Sequence, residues 1–385
     1  MSSPGAADLA GGSDGTNGAE VAAEQAPGRA LADLARQIAR RELLPAAGRL
    51  DISDAETIGA CWRVMCDVGL DRALRSESEG GAGIGALDLL AVIEELAVGD
   101  AGIALAVLLA NVAFVAMPSA RAATLPPGAR WAAVPVGWGA QLTIRQGRLE
   151  EISTLAFGAH GAHGLVFVLP ASPGDDRSRC SVLCAQGSTP HLRREREEHQ
   201  LGLSGAPAAM VAFSVADAQL RSGSSLDPWS GEQRRGGGCE AELCLFDLMR
   251  RGAAAIARGI ARRAEQLALE YAQQRRQGGV AIVAHDAVRD MLGAMAVRRI
   301  LRPAERIAEA DARAFAIAEK ILATDAALAS ATDAVQVFGG TGYMRETGVE
   351  KLMRDAKSIQ LFPEPNWVSA DALLGAHLAT PAPWS

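Results

Sequence analysis

The run AGIALAVLLANVAFVAM, residues 101–117, carries no charge, and only Asn111 breaks its apolar character. At 1.5 Å per residue such a helix is about 25 Å long, short of the ~30 Å hydrocarbon core of a bilayer. It reads as a helix buried on all sides. That reading demands a body large enough to enclose it. With 385 residues, 49% of them apolar, the chain can build two or three domains around a substantial core.

The hydrophobic period changes twice along the chain. Residues 1–28 are small, Gly- and Ser-rich and without period, and are expected to form a disordered tail. From 29 to 124 the spacing is helical: RALADLARQIARRELLPAAGRL has apolar residues at i, i+3 and i+4, and LDLLAVIEELAVG repeats the pattern. Between them SESEGGAGIG is a Gly-rich loop, and Asp88 is a candidate cap for the second helix. Short alternating runs split by Gly and Pro, such as RWAAVPVGWGAQLTIRQGRLEEIST, GLVFVLPAS and MVAFSVADAQL, place a small β domain at 125–222. Residues 223–240 read as a loop. The helical period then returns over 240–380, long enough for a four-helix bundle. The fold class is α+β, in the order α, β, α.

The net charge of −7 argues against a nucleic-acid binder, and no basic stretch interleaved with aromatics occurs. The six cysteines, at 61, 66, 180, 184, 239 and 244, form no CxxC and no zinc spacing. Reduced thiols in a cytoplasmic protein are expected, with no metal site. No basic segment followed by an apolar one begins the chain, so no signal peptide is expected, and no membrane span is expected elsewhere.

Three stretches could carry chemistry. EYAQQRRQGG, 270–279, puts Arg275 and Arg276 where a helix gives way to a double glycine; a guanidinium there can pair with a phosphate, or simply solvate a helix end. DAVQVFGGTGYMRE, 333–346, has Gly339, Gly340 and Gly342, which let backbone approach a ligand closely or make a helix–helix turn. LFPEPNW, 361–367, sets one carboxylate, Glu364, between two prolines among apolar residues, where it can serve as a general base or lie on the surface.

In this order, with ESEGGAGIGALDLLAVIEELAVGDAGIA, LGLSGAPAAMVAFSVADAQL, RGAAAIARGIARRAEQLALEYAQQRRQGG and HDAVRDML, the stretches resemble the acyl-CoA dehydrogenase family over about residues 30–378. The resemblance is most specific at 333–357. It implies an N-terminal helical domain, a middle β domain and a C-terminal four-helix bundle. It also implies FAD bound between β domain and bundle, with a neighbouring subunit completing the site, in a homodimer or homotetramer. Arg275 matches the arginine that holds the FAD pyrophosphate. Gln336, Gly339 and Gly340 match the segment given to the neighbour's FAD, and Gln277 and Asn366 join the cofactor-binding set. Asp247 and Arg250, in FDLMRR, match the residues that line the acyl pocket. The implied reaction is α,β-dehydrogenation of an acyl thioester, carried by coenzyme A or a carrier protein. A carboxylate takes the α-proton, a hydride leaves the β-carbon for the flavin, and the electron acceptor is open.

The chain departs from the family's pattern at the base. Counting forward from Asp355 puts Pro363 at that position; counting back from His377 puts Glu364 there. The base must also donate its backbone N–H to the thioester oxygen, and proline has none. The family's other base position holds Met249. Glu364 is therefore the expected base. The segment AVPVGWGAQLT stands where the family has a TEPxAGSD-type sequence, Gly278 replaces an aromatic, and Asp286 replaces a glutamine. These departures keep two alternatives open: a flavin oxidase or monooxygenase on the same fold, or a degenerate subunit that pairs with an active paralogue.

Overall fold

The structure is a computed structural model describing residues 26–117, 122, 125–126, 128–145, 148–169, 181–186, 191–197, 199–215, 229–230, 245–300 and 312–378. Most of the expected tail lies outside these residues. Helix α1 is Ala26–Ile38, and a five-residue π-turn, Ala39–Leu43, carries it into α2, Leu44–Asp51. Next come α3, Ala55–Asp67, α4, Ala86–Gly99, and α5, Ala101–Ala116. Gly85, not Asp88, is the N-cap of α4; Asp88 lies inside the first turn, where its charge still favours the helix dipole. Helix α5 is the expected enclosed helix: every position is buried except Val115. Its one polar break is satisfied. The Asn111 amide donates to the carbonyls of Leu70 (2.8 Å) and Val107 (3.0 Å), and its oxygen accepts from the Leu74 N–H at 3.1 Å.

The β region holds two four-stranded sheets. One has the order β1 (Trp131–Pro135), β4 (Gly164–Leu169), β5 (Ser181–Gln186), β8 (Trp229–Ser230). The other has the order β2 (Gln141–Arg145), β3 (Arg148–Ala156), β7 (Ala209–Ser214), β6 (Leu192–Glu197). Only β1 and β4 run parallel among the described pairs of these sheets. Phe167 of β4 stacks on Phe213 of β7 with ring centroids 5.3 Å apart, joining the two sheets. Strand β8 falls in the stretch read as a loop, 223–240; a two-residue strand has no period to detect.

The C-terminal half opens with α6, Leu245–Gln274, then a β-hairpin of β9, Arg276–Gln277, and β10, Val280–Ala281. Helices α7, Asp286–Ile300, α8, Ala312–Phe338, α9, Val349–Ile359, and α10, Asn366–Leu378, follow. Helices α6 and α8 run parallel. Arg251 and Arg258 pair with Glu319 at one end (3.0 and 2.8 Å), and Tyr271 stacks on Phe338 at 4.1 Å at the other. Arg258 and Arg262 also reach Glu94 and Glu95 of α4 at 2.9 and 2.8 Å, tying the two helical regions together.

All three regions meet at one buried ammonium. Lys351 of α9 lies 3.0 Å from Asp100 and donates to Asp355 at 2.6 Å. Asp100 caps α5 through the Ile103 N–H at 2.8 Å. Asp355 accepts from the Leu203 N–H, in the loop before β7, at 2.6 Å. The approach here is tight: a Cβ on Gly102 would fall 2.4 Å from the Gly205 nitrogen. Burial raises the Asp355 pKa, the Lys351 charge works against that, and Asp100 reinforces it. Burial opposes the Lys351 charge, but the two carboxylates outweigh it and raise the lysine's pKa. Lys351→Met removes the cation and leaves two carboxylates without it, so a loss of about 3–5 kcal/mol is expected, read as a fall in the urea unfolding midpoint.

Candidate functional site

Helix α9 ends at Ile359 and α10 begins at Asn366, so Glu364 sits on the short connection between them. The connection turns inward, and Glu364 is only 5% exposed. One carboxylate oxygen, Oε1, accepts from Arg250 Nε at 2.8 Å and from the Ser369 hydroxyl at 2.6 Å. Arg250 Nη1 donates in turn to Asp247 at 2.6 Å. The other oxygen, Oε2, is buried and has no hydrogen-bond partner among the described residues. The carboxylate's hydrogen-bonding neighbours are thus an arginine and a serine, not the apolar setting expected from LFPEPNW. Burial works against the Arg250 charge, but Glu364 and Asp247 outweigh it and hold the guanidinium pKa above its ordinary value.

Beneath this loop lies Lys320 of α8, completely buried. Its Nζ donates to the carbonyls of Gln360 (3.0 Å) and Glu364 (2.6 Å) and to Asn366 Oδ1 (2.5 Å). These three acceptors use all three protons of an ammonium. Asn366, expected in the cofactor set, directs its amide inward to Thr324 and Asp325 at 3.0 and 2.8 Å. Burial pulls the Lys320 pKa down to about 8, against the attraction of Glu364. Two edge-to-face aromatic contacts tie the loop to the β region: Phe157 with Phe362 at 6.2 Å, and Trp138 with Trp367 at 5.5 Å.

The remaining candidates lie elsewhere. Arg275 and Gln277 are exposed just beyond the end of α6, on the hairpin whose turn residues Gly278 and Gly279 have φ of 60° and 85°. Two successive positive φ values form the type I′ turn that only glycine makes without strain. Gln336, Gly339 and Gly340 are exposed at the end of α8, beside Arg275's helix through the Tyr271–Phe338 stack. Twenty-five residues of the α6 line separate Arg250 from Arg275, about 37 Å at helical rise. The structure therefore gathers Asp247, Arg250, Glu364 and Asn366 at one end of the bundle. It gathers Arg275, Gln277, Gln336, Gly339 and Gly340 at the other. Lys320 and Ser369 were not visible as site residues in the sequence. The only hint for Lys320 was scarcity, since the chain has three lysines.

The family model described as acyl-CoA dehydrogenase, N-terminal domain, matches residues 26–129, and that described as acyl-CoA dehydrogenase, C-terminal domain, matches 236–363. The chain belongs to the acyl-CoA dehydrogenase family. An acyl-CoA dehydrogenase of Bacillus subtilis is 32% identical over 209 residues, 52% of this chain and 53% of that protein, so this match spans about half of each. A cyclohex-1-ene-1-carbonyl-CoA dehydrogenase of Geobacter metallireducens is 28% identical over 370 residues, 88% of this chain and 94% of its own length. The solved butyryl-CoA dehydrogenase of Megasphaera elsdenii shares the fold, with a TM-score of 0.67 and 21% identity, over 91% of this chain and 98% of that one. The α, β, α architecture read from the sequence is thus the acyl-CoA dehydrogenase fold. This member is an oxidoreductase of acyl-CoA dehydrogenase type with FAD as cofactor. No helix among the described residues is long and apolar enough to cross a membrane.

The exposed end fits that cofactor. Arg275 makes no side-chain ion pair or hydrogen bond among the described residues, so its guanidinium is open to a pyrophosphate, and nothing would meet a Cβ on Gly340. Asp286, whose charge opposes such a ligand, lies in the first turn of α7, where it favours the helix dipole.

The Lys320 anchor has a pH signature. An ordinary lysine titrates near 10.5, and this one near 8. Between those values the unfolded chain binds more protons than the folded one, so stability rises with pH across that window. Thermal unfolding from pH 8 to 10 should show the wild type gaining stability relative to Lys320→Met. Below pH 8 the difference between the two proteins should stay constant.

Proposed function

We propose that the enzyme desaturates an acyl thioester at its α,β positions, with Glu364 as the α-proton base. The supporting observation is the asymmetry of the Glu364 carboxylate. Oε1 is held by Arg250 and Ser369, which fixes the group's orientation, and Oε2 keeps its lone pairs free. An oriented carboxylate with one open oxygen, shielded from water, is suited to take a proton from carbon. The Glu364 backbone N–H has no acceptor among the described residues and is available to the thioester oxygen, where it would stabilise the charge that develops on proton loss. FAD, when bound, supplies the hydride acceptor. Lys320 holds the loop so that N–H and Oε2 keep one relation to each other.

The relatives' names point to acyl groups on coenzyme A, so acyl-CoA is the proposed substrate class. The roughly 37 Å between the two groups of site residues favours an oligomer. Glu364 and Arg275 of one chain lie too far apart to serve one flavin, so the Arg275 end would complete the FAD site of a neighbouring subunit.

Glu364→Gln should retain FAD and lose anaerobic flavin bleaching by acyl-CoA by several orders of magnitude; equal bleaching would remove Glu364 from the mechanism. If the wild type itself bleaches with no acyl thioester, a flavin oxidase reading replaces this one.

Arg275→Ala should weaken FAD retention by about 1.5–3 kcal/mol. Refolding a mixture of Glu364→Gln and Arg275→Ala chains should restore bleaching that neither variant shows alone. In a mixed pair, one site receives both intact residues. Failure to restore it would place both residues at the same site of one chain.

A further inference from the structure

Arg130, just before β1, is a cation without a counter-charge among the described residues. Its backbone N–H donates to His163 Nδ1 at 2.9 Å, and the His163 backbone N–H donates back to the Arg130 carbonyl at 2.7 Å. The guanidinium Nη2 donates to the His160 carbonyl, while Nε is buried with no partner. No carboxylate among the described residues pairs with it. Burial lowers the Arg130 pKa, and the nearby Arg194 adds like charge rather than relief. Among the described residues Arg194 donates to a carbonyl, that of Ala162, and to no carboxylate. An arginine does not shed its proton in a protein. Arg130 is half-buried, with its Nε enclosed and unpartnered among the described residues, and a charge so placed is otherwise found paired or ligated, so this one calls for an anion from outside the chain.

There is room for one. A cavity of about 260 Å³ opens between Arg130 and His163 on one side and Ser53, Ile58 and Trp62 on the other. It lies between α3 and the β region, with no residue of the Glu364 cluster in its lining. Because His163 Nδ1 accepts from the Arg130 amide, a neutral ring carries its proton on Nε2 and offers a second donor. Asp54, the N-cap of α3, has its carboxylate engaged by the Thr57 N–H and hydroxyl. The Trp62 indole N–H is also occupied, by the Gly128 carbonyl at 3.2 Å, so the wall it offers is its apolar face. The volume is below the roughly 300–1,000 Å³ of drug-sized sites, which suits a small ligand.

We propose that this cleft binds a small organic anion, with a carboxylate or phosphate head on Arg130 and His163 and a compact apolar body against Ile58 and Trp62. The site is distinct from the acyl thioester site and does not depend on its assignment.

The test is calorimetric titration of the FAD-loaded protein at fixed ionic strength with benzoate, phenyl phosphate and neutral benzyl alcohol. At least one anion should bind at one site per chain, and benzyl alcohol should not. The ratio of the two anion affinities identifies the head group. Arg130→Gln should weaken binding at least tenfold. His163→Asp, which keeps an acceptor for the Arg130 amide but brings negative charge, should abolish it at an exposed position that tolerates change. Glu364→Gln should bind as the wild type does. The proposal is overturned if neither anion binds, if both cleft variants bind unchanged, or if Glu364→Gln loses binding, which would place the anion at the base.

Discussion

The three parts of this chain are joined through a buried ammonium shared by two carboxylates. Lys351 meets Asp100 at the hinge between α4 and α5, and Asp355 beside it takes the Leu203 amide from the β region. Each of these groups would be costly to bury alone. Together they make the position of α9 depend on the helical N-terminal region and on the β region at once. Arg354, one turn along, repeats the linkage at the surface: it pairs with Asp51 at 2.8 Å and donates to the Leu201 carbonyl at 2.9 Å. Since α9 leads directly into the Glu364 loop, this joint also sets where that carboxylate can stand.

The loop is then fixed from below and from the side. Lys320 bonds the carbonyl of Glu364 itself and that of Gln360. Phe362 and Trp367 reach across to Phe157 and Trp138 of the β region. The backbone of the loop is thus gripped by the bundle, and its aromatic side chains by the sheets. The carboxylate oxygen Oε2 and the Glu364 amide have no partner among the described residues. That distribution is compatible with the proposed role of Glu364, whose carboxylate is oriented through Oε1 alone.

Much of this could be read from the residues. Helical period located α4 and α6, and the uninterrupted apolar run located α5, because both signals survive in any tertiary setting that buries them. Glu364 became the expected base only through the resemblance, whose two base positions would otherwise fall on Pro363, which has no N–H, and Met249, which has no carboxylate. The immediate surroundings of Glu364 were not legible. Arg250 and Ser369 lie 114 residues before and 5 after it, and no local pattern announces such a meeting. Lys320 reads as an ordinary solvated helix residue, and Arg130 as an ordinary loop cation. Their burial is decided by what other segments place over them. The separation of Arg275 from Glu364 was implicit in the length of α6, but only the parallel course of α6 and α8 shows that Arg275 belongs with Gln336 and Gly339.

The 30-residue α6 also dictates where this chain can change length. Each residue of a helix turns the next by about 100°. One residue added between Arg250 and Arg275 would swing every side chain beyond it by that angle. It would set the facing of Arg258 and Arg262 toward α4 against that of Arg250 toward Glu364, or that of Tyr271 toward Phe338 against both, according to where it fell. The connection between α9 and α10 has no helical phase to keep: it must span its ends, present one carboxylate and keep its contacts with Lys320, Phe157 and Trp138. An extra proline can therefore be taken up at 363 without loss of register, whereas the same event in the helix would turn one of its ends out of phase with the other.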